Sequence, residues 1–163
     1  MELKVETPQD GWAVEALYDL SFAPGRTALS SYRLRDGVPP VPELSLVAID
    51  DAGNVGGAIR YWPVRVGAHD ALLLGPVAVH PTRQGEGLGG ALVRDSLARA
   101  EALGWTRVLL VGDAPYYSKF GFRELSGVIM PPPTNPRRVL GLWDWDGVRG
   151  EVTSLKTAPT DSI

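Results

Sequence analysis

Apolar and polar positions read mostly as strands through the middle third of this chain and change to a helical period after Val79. Residues 2–6 (ELKVE) read as a short strand, while the amphipathic run from about Asp10 to Leu20 predicts a helix. After a Pro24-Gly25 break, Thr27–Leu34 reads as a second helical piece. PPVP at 39–42 reads as a loop. Beyond it, LSLVAID (44–50), a turn at 51–54 and VGGAIRYWPVRV (55–66) predict an antiparallel hairpin, with Pro63 marking an edge or a bend. ALLLGPVAV (71–79) continues the meander.

The period then lengthens. From Gly87 to Leu103, the small or apolar positions Gly89, Leu92, Val93, Leu97, Ala100 and Leu103 recur at helical spacing. Arg94, Asp95, Arg99 and Glu101 fall mostly on the other face, and Gly104 stands where a C-terminal cap belongs. TRVLLV (106–111) predicts a buried strand. Asp113-Ala114-Pro115 signals a helix start with Asp113 as N-cap, and the short helix carries Tyr116 to Phe120. FRELS (122–126) and VLGLWDW (139–145) predict late strands, the second placing Trp143 and Trp145 on one face and Asp144 and Asp146 on the other. The expected architecture is α/β, one domain over 1–150 with a mixed, mainly antiparallel sheet flanked by helices, then a polar tail over 151–163.

Composition narrows the chemistry. At 163 residues the chain fits one domain, and 16 Lys+Arg against 19 Asp+Glu leave a net charge of −3. A mildly acidic chain lacks the basic excess that phosphate neutralisation on DNA or RNA demands, so a small-molecule or peptide partner is expected. No cysteine is present, which removes thiolate metal sites, disulfides and a cysteine nucleophile. No window approaches the ~18 apolar residues of a membrane span. The start MELKVETPQDGW lacks the basic-then-apolar build of a signal peptide, so no membrane partner and a cytoplasmic location are expected.

One segment concentrates chemical signals. GPVAVHPTRQGEGLGGALV, from Gly75 to Val93, runs from strand through a short loop and a glycine cluster into a helix start. Glycines let backbone N–H groups approach an anion, and a helix N-terminus adds about half a positive charge, so a phosphate or diphosphate suits it. A P-loop is excluded because no Gly-Lys-Ser/Thr follows. The dinucleotide pattern G-x-G-x-x-G is met by Gly85, Gly87 and Gly90, but His80 to Gln84 separate it from its strand and the strands before it read as antiparallel. An NAD-binding oxidoreductase is therefore the weaker reading.

The third pattern, Q-x-x-G-x-G, is met by Gln84, Gly87 and Gly89 after the turn Val79-His80-Pro81. With Tyr116, Tyr117, Gly121 and Phe122 downstream, in the spacing aromatic-Tyr-x-x-x-Gly-Phe, the chain resembles the GCN5-related N-acetyltransferase (GNAT) family along nearly its whole length. The resemblance implies a GNAT fold with splayed central strands, Gly75-Pro76 marking the splay from TRVLLV. It also implies acetyl-coenzyme A as cosubstrate, held by Val77, Val79, Gln84, Gly85, Glu86, Gly87, Leu88, Gly89, Gly90 and Tyr116. An N-acetyltransferase acting directly on a primary amine follows, with the Val79 amide as oxyanion donor and Tyr117 as acid toward the leaving thiolate. No metal is called for. Dimers are common in folds of this type, so a homodimer is compatible with it. The rival is a non-catalytic acyl-coenzyme A sensor or assembly module on the same fold.

A general base is not assigned. Asp113 reads first as an N-cap, His80 as a turn residue and Glu43 as a solvated carboxylate. Phe22, Tyr32, Arg33, Trp62, Trp143 and Trp145 are candidates to line the acceptor pocket.

Overall fold

A computed structural model describes residues 1–22 and 30–155. In chain order its elements are β1 (Glu2–Val5), α1 (Gly11–Ser21), α2 (Ser30–Arg33), β2 (Leu46–Ile49), β3 (Val55–Val66), β4 (His69–Val79), α3 (Leu88–Ala102), β5 (Arg107–Val111), α4 (Ala114–Tyr117), β6 (Arg123–Glu124), β7 (Val128–Ile129), β8 (Val139–Trp143) and β9 (Gly150–Ser154). They form an α/β domain with a mixed, mostly antiparallel sheet and flanking helices, as the pattern predicts. Residues 24, 25 and 27–29 of the expected break and second helical piece lie outside the described residues, as do 156–163 of the expected tail. Two compact units are distinguishable, and β3 and β4 each contribute to both.

The first unit draws on Met1–Arg26, Pro40–Tyr61 and Leu74–Thr106. Here β1 lies antiparallel to β2, from Glu2↔Ile49 to Val5↔Leu46, and β2 lies antiparallel to β3 with an irregularity between Ala48 and Ile49. The entry to α1 is fixed by Thr7, whose backbone N–H and hydroxyl both donate to Asp10 Oδ2 at 2.8 Å. These bonds, the backbone one foremost, hold the Asp10 carboxyl below its ordinary pKa. The inner face of α1 buries Val14, Leu17 and Tyr18 against Val47, Ala58 and Ala78.

Packing of α3 depends on a missing side chain. A Cβ on Gly57 of β3 would stand 3.0 Å from Leu92 Cδ1 and 3.3 Å from the Ala78 carbonyl oxygen. The helix buries Leu88, Leu92, Val93, Leu97 and Ala100, with Ser96 satisfied internally by donating to the Leu92 carbonyl at 2.7 Å. Leu103, expected on the apolar face, is instead 52% exposed. The reason is the cap: Gly104 adopts φ 91° and the Trp105 N–H reaches the Ala100 carbonyl at 3.1 Å, turning the chain away after Ala102.

The second unit draws on Thr27–Pro39, Trp62–Leu73 and Arg107–Ile163. In it β4 runs parallel to β5 through Leu72↔Val108 and Leu73↔Leu109, where their register ends. On its other edge β5 pairs antiparallel with β8, from Arg107↔Trp143 to Val111↔Val139, and β8 pairs with β6. The late part of β3 pairs with β9 from Val64↔Ser154 to Val66↔Val152. Regular structure thus continues through Ser154, past the 150/151 boundary read from polarity, because alternation along β9 buries Val152 while its neighbours face out. Trp62, Val64, Val66, Leu73, Leu109 and Val139 are among the core residues of this unit.

The expected Trp143–Trp145 face does not form. Trp143 has φ 73° and ends β8, so Trp145 leaves the strand, buries itself in the core and donates from Nε1 to the Leu142 carbonyl at 3.0 Å. Asp144 and Asp146 form a turn instead of an acidic face, with the Asp146 N–H donating to Asp144 Oδ1 at 3.1 Å.

Burial in the second core sets its sensitivity to truncation. Leu109→Ala should cost about 2–5 kcal/mol in urea unfolding through lost transfer energy plus a cavity. Ile129→Ala, at a side chain 57% exposed, should stay within about 0.5 kcal/mol of wild type.

Candidate functional site

The turn after β4 is built from its own side chains. Pro81–Arg83 form one turn of 3-10 helix capped by His80, whose Nδ1 accepts the Thr82 N–H at 3.2 Å and lies 2.8 Å from the Thr82 hydroxyl. His80 is thus a turn residue, as expected from its place beside Pro81. Arg83 pairs with Asp50 at 2.9 Å and with Glu86 at 3.9 Å. Asp50 also accepts from the backbone N–H groups of Asn54 and Ala52, and these bonds hold its pKa below the ordinary carboxylate value. The Asp50–Arg83 pair borders a pocket of about 540 Å³ that α1 lines with Trp12, Ala16 and Leu20. Charge in the turn is therefore neutralised locally, and what the next residues offer is backbone.

Gln84, Gly85, Glu86 and Gly87 form an exposed loop leading into α3. Gly85 and Gly87 have φ of 89° and 75°, a left-handed conformation that favours glycine, and open space lies where a Cβ would project. Gly87 is the N-cap of α3 and supplies no capping side chain. The first helical bond is the Ala91 N–H to the Gly87 carbonyl at 3.1 Å, so the amides of Leu88, Gly89 and Gly90 begin the helix without intrahelical acceptors. Leu88 points its side chain into the core, while Gly90 lies beneath the Arg94 guanidinium. Donors of this kind, on an exposed loop with the positive end of a 15-residue helix behind them, suit a diphosphate. The dinucleotide reading fails here, since the strands before the loop are antiparallel.

Val77 and Val79 occupy the last part of β4, beyond the end of its register with β5. The next amide, that of His80, donates to the Gly56 carbonyl on β3 at 2.8 Å. Strand alternation therefore turns the Val79 N–H, and that of Val77 two residues earlier, toward the opposite edge.

Tyr116 and Tyr117 belong to the second unit. Asp113 occupies the N-cap position of α4 without a side-chain capping bond. The Tyr117 ring meets Tyr116 edge-on at 4.9 Å and lies 5.9 Å from Phe122, while the Lys119 ammonium sits 4.3 Å over the Tyr116 ring. Gly112 makes this placement feasible: a Cβ there would be 2.7 Å from Tyr117 Cε2. Sequence reasoning missed Gly112, although a glycine between a buried strand and a helix cap was a visible signal. Burial foremost, then the neighbouring Tyr116, pushes the Tyr117 phenol up to about 12.

The residues expected to line an acceptor pocket are engaged in other contacts. Phe22 packs with Tyr18 in the first unit, ring centroids 6.3 Å apart. Trp62 and Trp145 are core residues of the second unit, so neither offers a cleft wall. Arg33 donates to the Pro132 carbonyl at 2.9 Å, and Tyr32 stacks under the buried guanidinium of Arg35 at 4.0 Å. Glu43 is exposed on a 3-10 turn, in keeping with a solvated carboxylate.

Comparisons with known proteins agree on one family. A family model described as acetyltransferase (GNAT) domain matches residues 42–124. YhbS of Escherichia coli K12, an uncharacterized N-acetyltransferase, is 37% identical over 125 residues, covering 75% of this chain and 73% of that protein. The crystal structure of E. coli YhbS in complex with CoA superposes with a TM-score of 0.80 at 31% identity, covering 94% of this chain and 88% of that one. A GNAT family acetyltransferase from Brucella melitensis in complex with acetyl-CoA gives a TM-score of 0.71 at 30% identity, covering 93% and 94%.

The raised phenol has a measurable signature. An absorbance titration of phenolate should contain one component near pH 12 that disappears in Tyr117→Phe. An unfolded tyrosine releases its proton near about pH 10. Between that pH and the folded value of about 12, the unfolded state binds fewer protons and stability falls. Wild type should therefore lose urea resistance more steeply than Tyr117→Phe across that window.

Proposed function

Because this chain belongs to the GNAT family of acetyltransferases, we propose that it moves an acetyl group from acetyl-coenzyme A to a primary amine by direct attack in a ternary complex. The observation that carries this reading is the Gln84–Gly90 loop, where two left-handed glycines open onto free space and the first amides of α3 have no cap. The diphosphate of the cosubstrate rests on those amides. Its pantetheine arm runs along the edge of β4 to which Val77 and Val79 turn their N–H groups. Complexes of YhbS with CoA and of the Brucella protein with acetyl-CoA support this choice of ligand.

In the reaction, the amine nitrogen lone pair forms a bond to the thioester carbon and the carbonyl electrons move to oxygen. The Val79 N–H donates to that oxyanion; such donors contribute roughly 10²–10³ in rate. Collapse restores the carbonyl, breaks the carbon–sulfur bond and leaves the electron pair on sulfur, while water carries away the amine proton. Tyr117 is the hydrogen-bond donor to the departing thiolate. Its phenol, held up to about 12, stays protonated at neutral pH and can always donate. A thiol pKa of about 8.5 lies well below it, which favours a stabilising hydrogen bond over complete proton transfer. The acceptor is a small-molecule or peptide amine, and the setting is cytoplasmic; among the described residues no helix is long and apolar enough to cross a membrane.

Two experiments test the reading. Calorimetry should detect CoA binding to wild type and none of NAD. Gly87→Glu should abolish CoA binding by placing a carboxylate on the anion loop, at a stability cost of about 1–2 kcal/mol for a left-handed non-glycine residue. Undiminished affinity would remove the loop from the site. In a screen of amine acceptors with thiol-release detection, Tyr117→Phe should lower kcat by about 10²-fold with KM for acetyl-CoA little changed. Binding of CoA without turnover on any amine would favour a non-catalytic acyl-CoA sensor.

A further inference from the structure

The last four residues of β4 face an anchoring problem. Their register with β5 has already ended at Leu73↔Leu109, and Pro76 has no N–H to give to any ladder. A strand segment freed along one edge is held by its neighbour β3 on the other, and bonds at its two ends fix its line further. The His80 N–H, donating to the Gly56 carbonyl at 2.8 Å, fixes the far end. At the near end the bond comes from a helix: the fully buried Tyr18 of α1 donates its phenolic O–H to the Pro76 carbonyl at 3.2 Å.

Tyr18 is itself held firmly. Its neighbours Val14 and Leu17 anchor α1 in the first core, and the Arg60 guanidinium lies 5.4 Å over its ring. Arg60 is in turn gripped by Glu6 through Nε at 3.0 Å and Nη2 at 2.8 Å, and by Glu15 through Nη1. Burial works against the Arg60 charge, but the bonds from Glu6 and Glu15 outweigh it and raise its pKa further above the ordinary value. The phenol therefore presents its proton from a fixed point, and the Pro76 carbonyl must meet it there.

We infer that Tyr18 is a positioning residue for the cosubstrate: its bond to Pro76 sets the Pro76–Val79 segment so that the Val77 and Val79 amides stay presented to the pantetheine arm. This rests on the acetyl-CoA reading above and assigns a role in it to α1, which touches none of the Gln84–Gly90 amides in that scheme. The diphosphate loop and the pantetheine edge are then set by different anchors, so the two halves of the ligand should respond differently when this bond is lost.

The test is calorimetry with two probes, CoA and 3′-phospho-ADP, the second keeping the diphosphate and lacking the pantetheine arm. Tyr18→Phe should weaken CoA about three- to tenfold, the worth of one buried hydrogen bond, and leave 3′-phospho-ADP unchanged. Tyr61→Phe is the control, since its fully buried hydroxyl bonds Ser96 Oγ at 2.7 Å in the same unit. That variant should lose comparable stability without changing either affinity. Equal loss of both ligands, or of neither, in Tyr18→Phe overturns the positioning role. Should Tyr18→Phe not fold, Arg60→Gln decides, since it removes the guanidinium over the Tyr18 ring and leaves the phenol in place: CoA must weaken while 3′-phospho-ADP does not, and an equal change in both, or in neither, overturns the inference. Absence of CoA binding to wild type would instead bring down the proposed function itself.

Discussion

A backbone that cannot pair along its whole length must find partners elsewhere, and β4 is such a backbone. Its first part lies in register with β5 through Leu72 and Leu73, and its last part, beginning at Pro76, does not. Proline removes a donor from the ladder, and alternation turns the Val77 and Val79 amides away from β3. Strand-end amides that face away from the β3 ladder can donate to a ligand that brings its own carbonyls. In the proposed complex the same chain that forms the sheet serves as a peptide-like partner for the pantetheine arm.

In the proposed complex the loop that follows relies on backbone as well. Its own Arg83 is paired with Asp50 and Glu86, while the Arg94 guanidinium lies over Gly90. Oriented amides at the start of α3 provide positive potential without a mobile cation. Glycine at 85 and 87 is favoured by the left-handed backbone, and the absence of side chains leaves the space above it clear. Elsewhere, Gly112 removes a Cβ so that the Tyr117 ring can sit where burial keeps its proton on.

Legibility in the sequence tracked the locality of each interaction. The helix from Leu88 to Ala102, its glycine cap and the meander of three strands are set by periodicity and by bonds between residues close in sequence, and they were readable. The glycine loop and the paired tyrosines were readable as motifs because their spacing is itself local. The Trp143–Trp145 strand face was misread because period-two alternation assumes a continuous strand. A left-handed backbone at Trp143 ends the strand two residues earlier and sends Trp145 into the core. The extent of β9 escaped notice because a strand with one buried residue, Val152, looks like polar tail until its partners in β3 and β7 are known.

Sequence by itself determined the class of fold, the glycine loop and the family, since each rests on patterns that span a few residues and recur in fixed order. Tertiary structure decided which of those residues are held and by what. Tyr18 and Pro76 are 58 positions apart, and Arg60 meets Glu6 across 54. No spacing rule relates such residues, because their contact is created only when α1 and the sheet bury their apolar faces against each other.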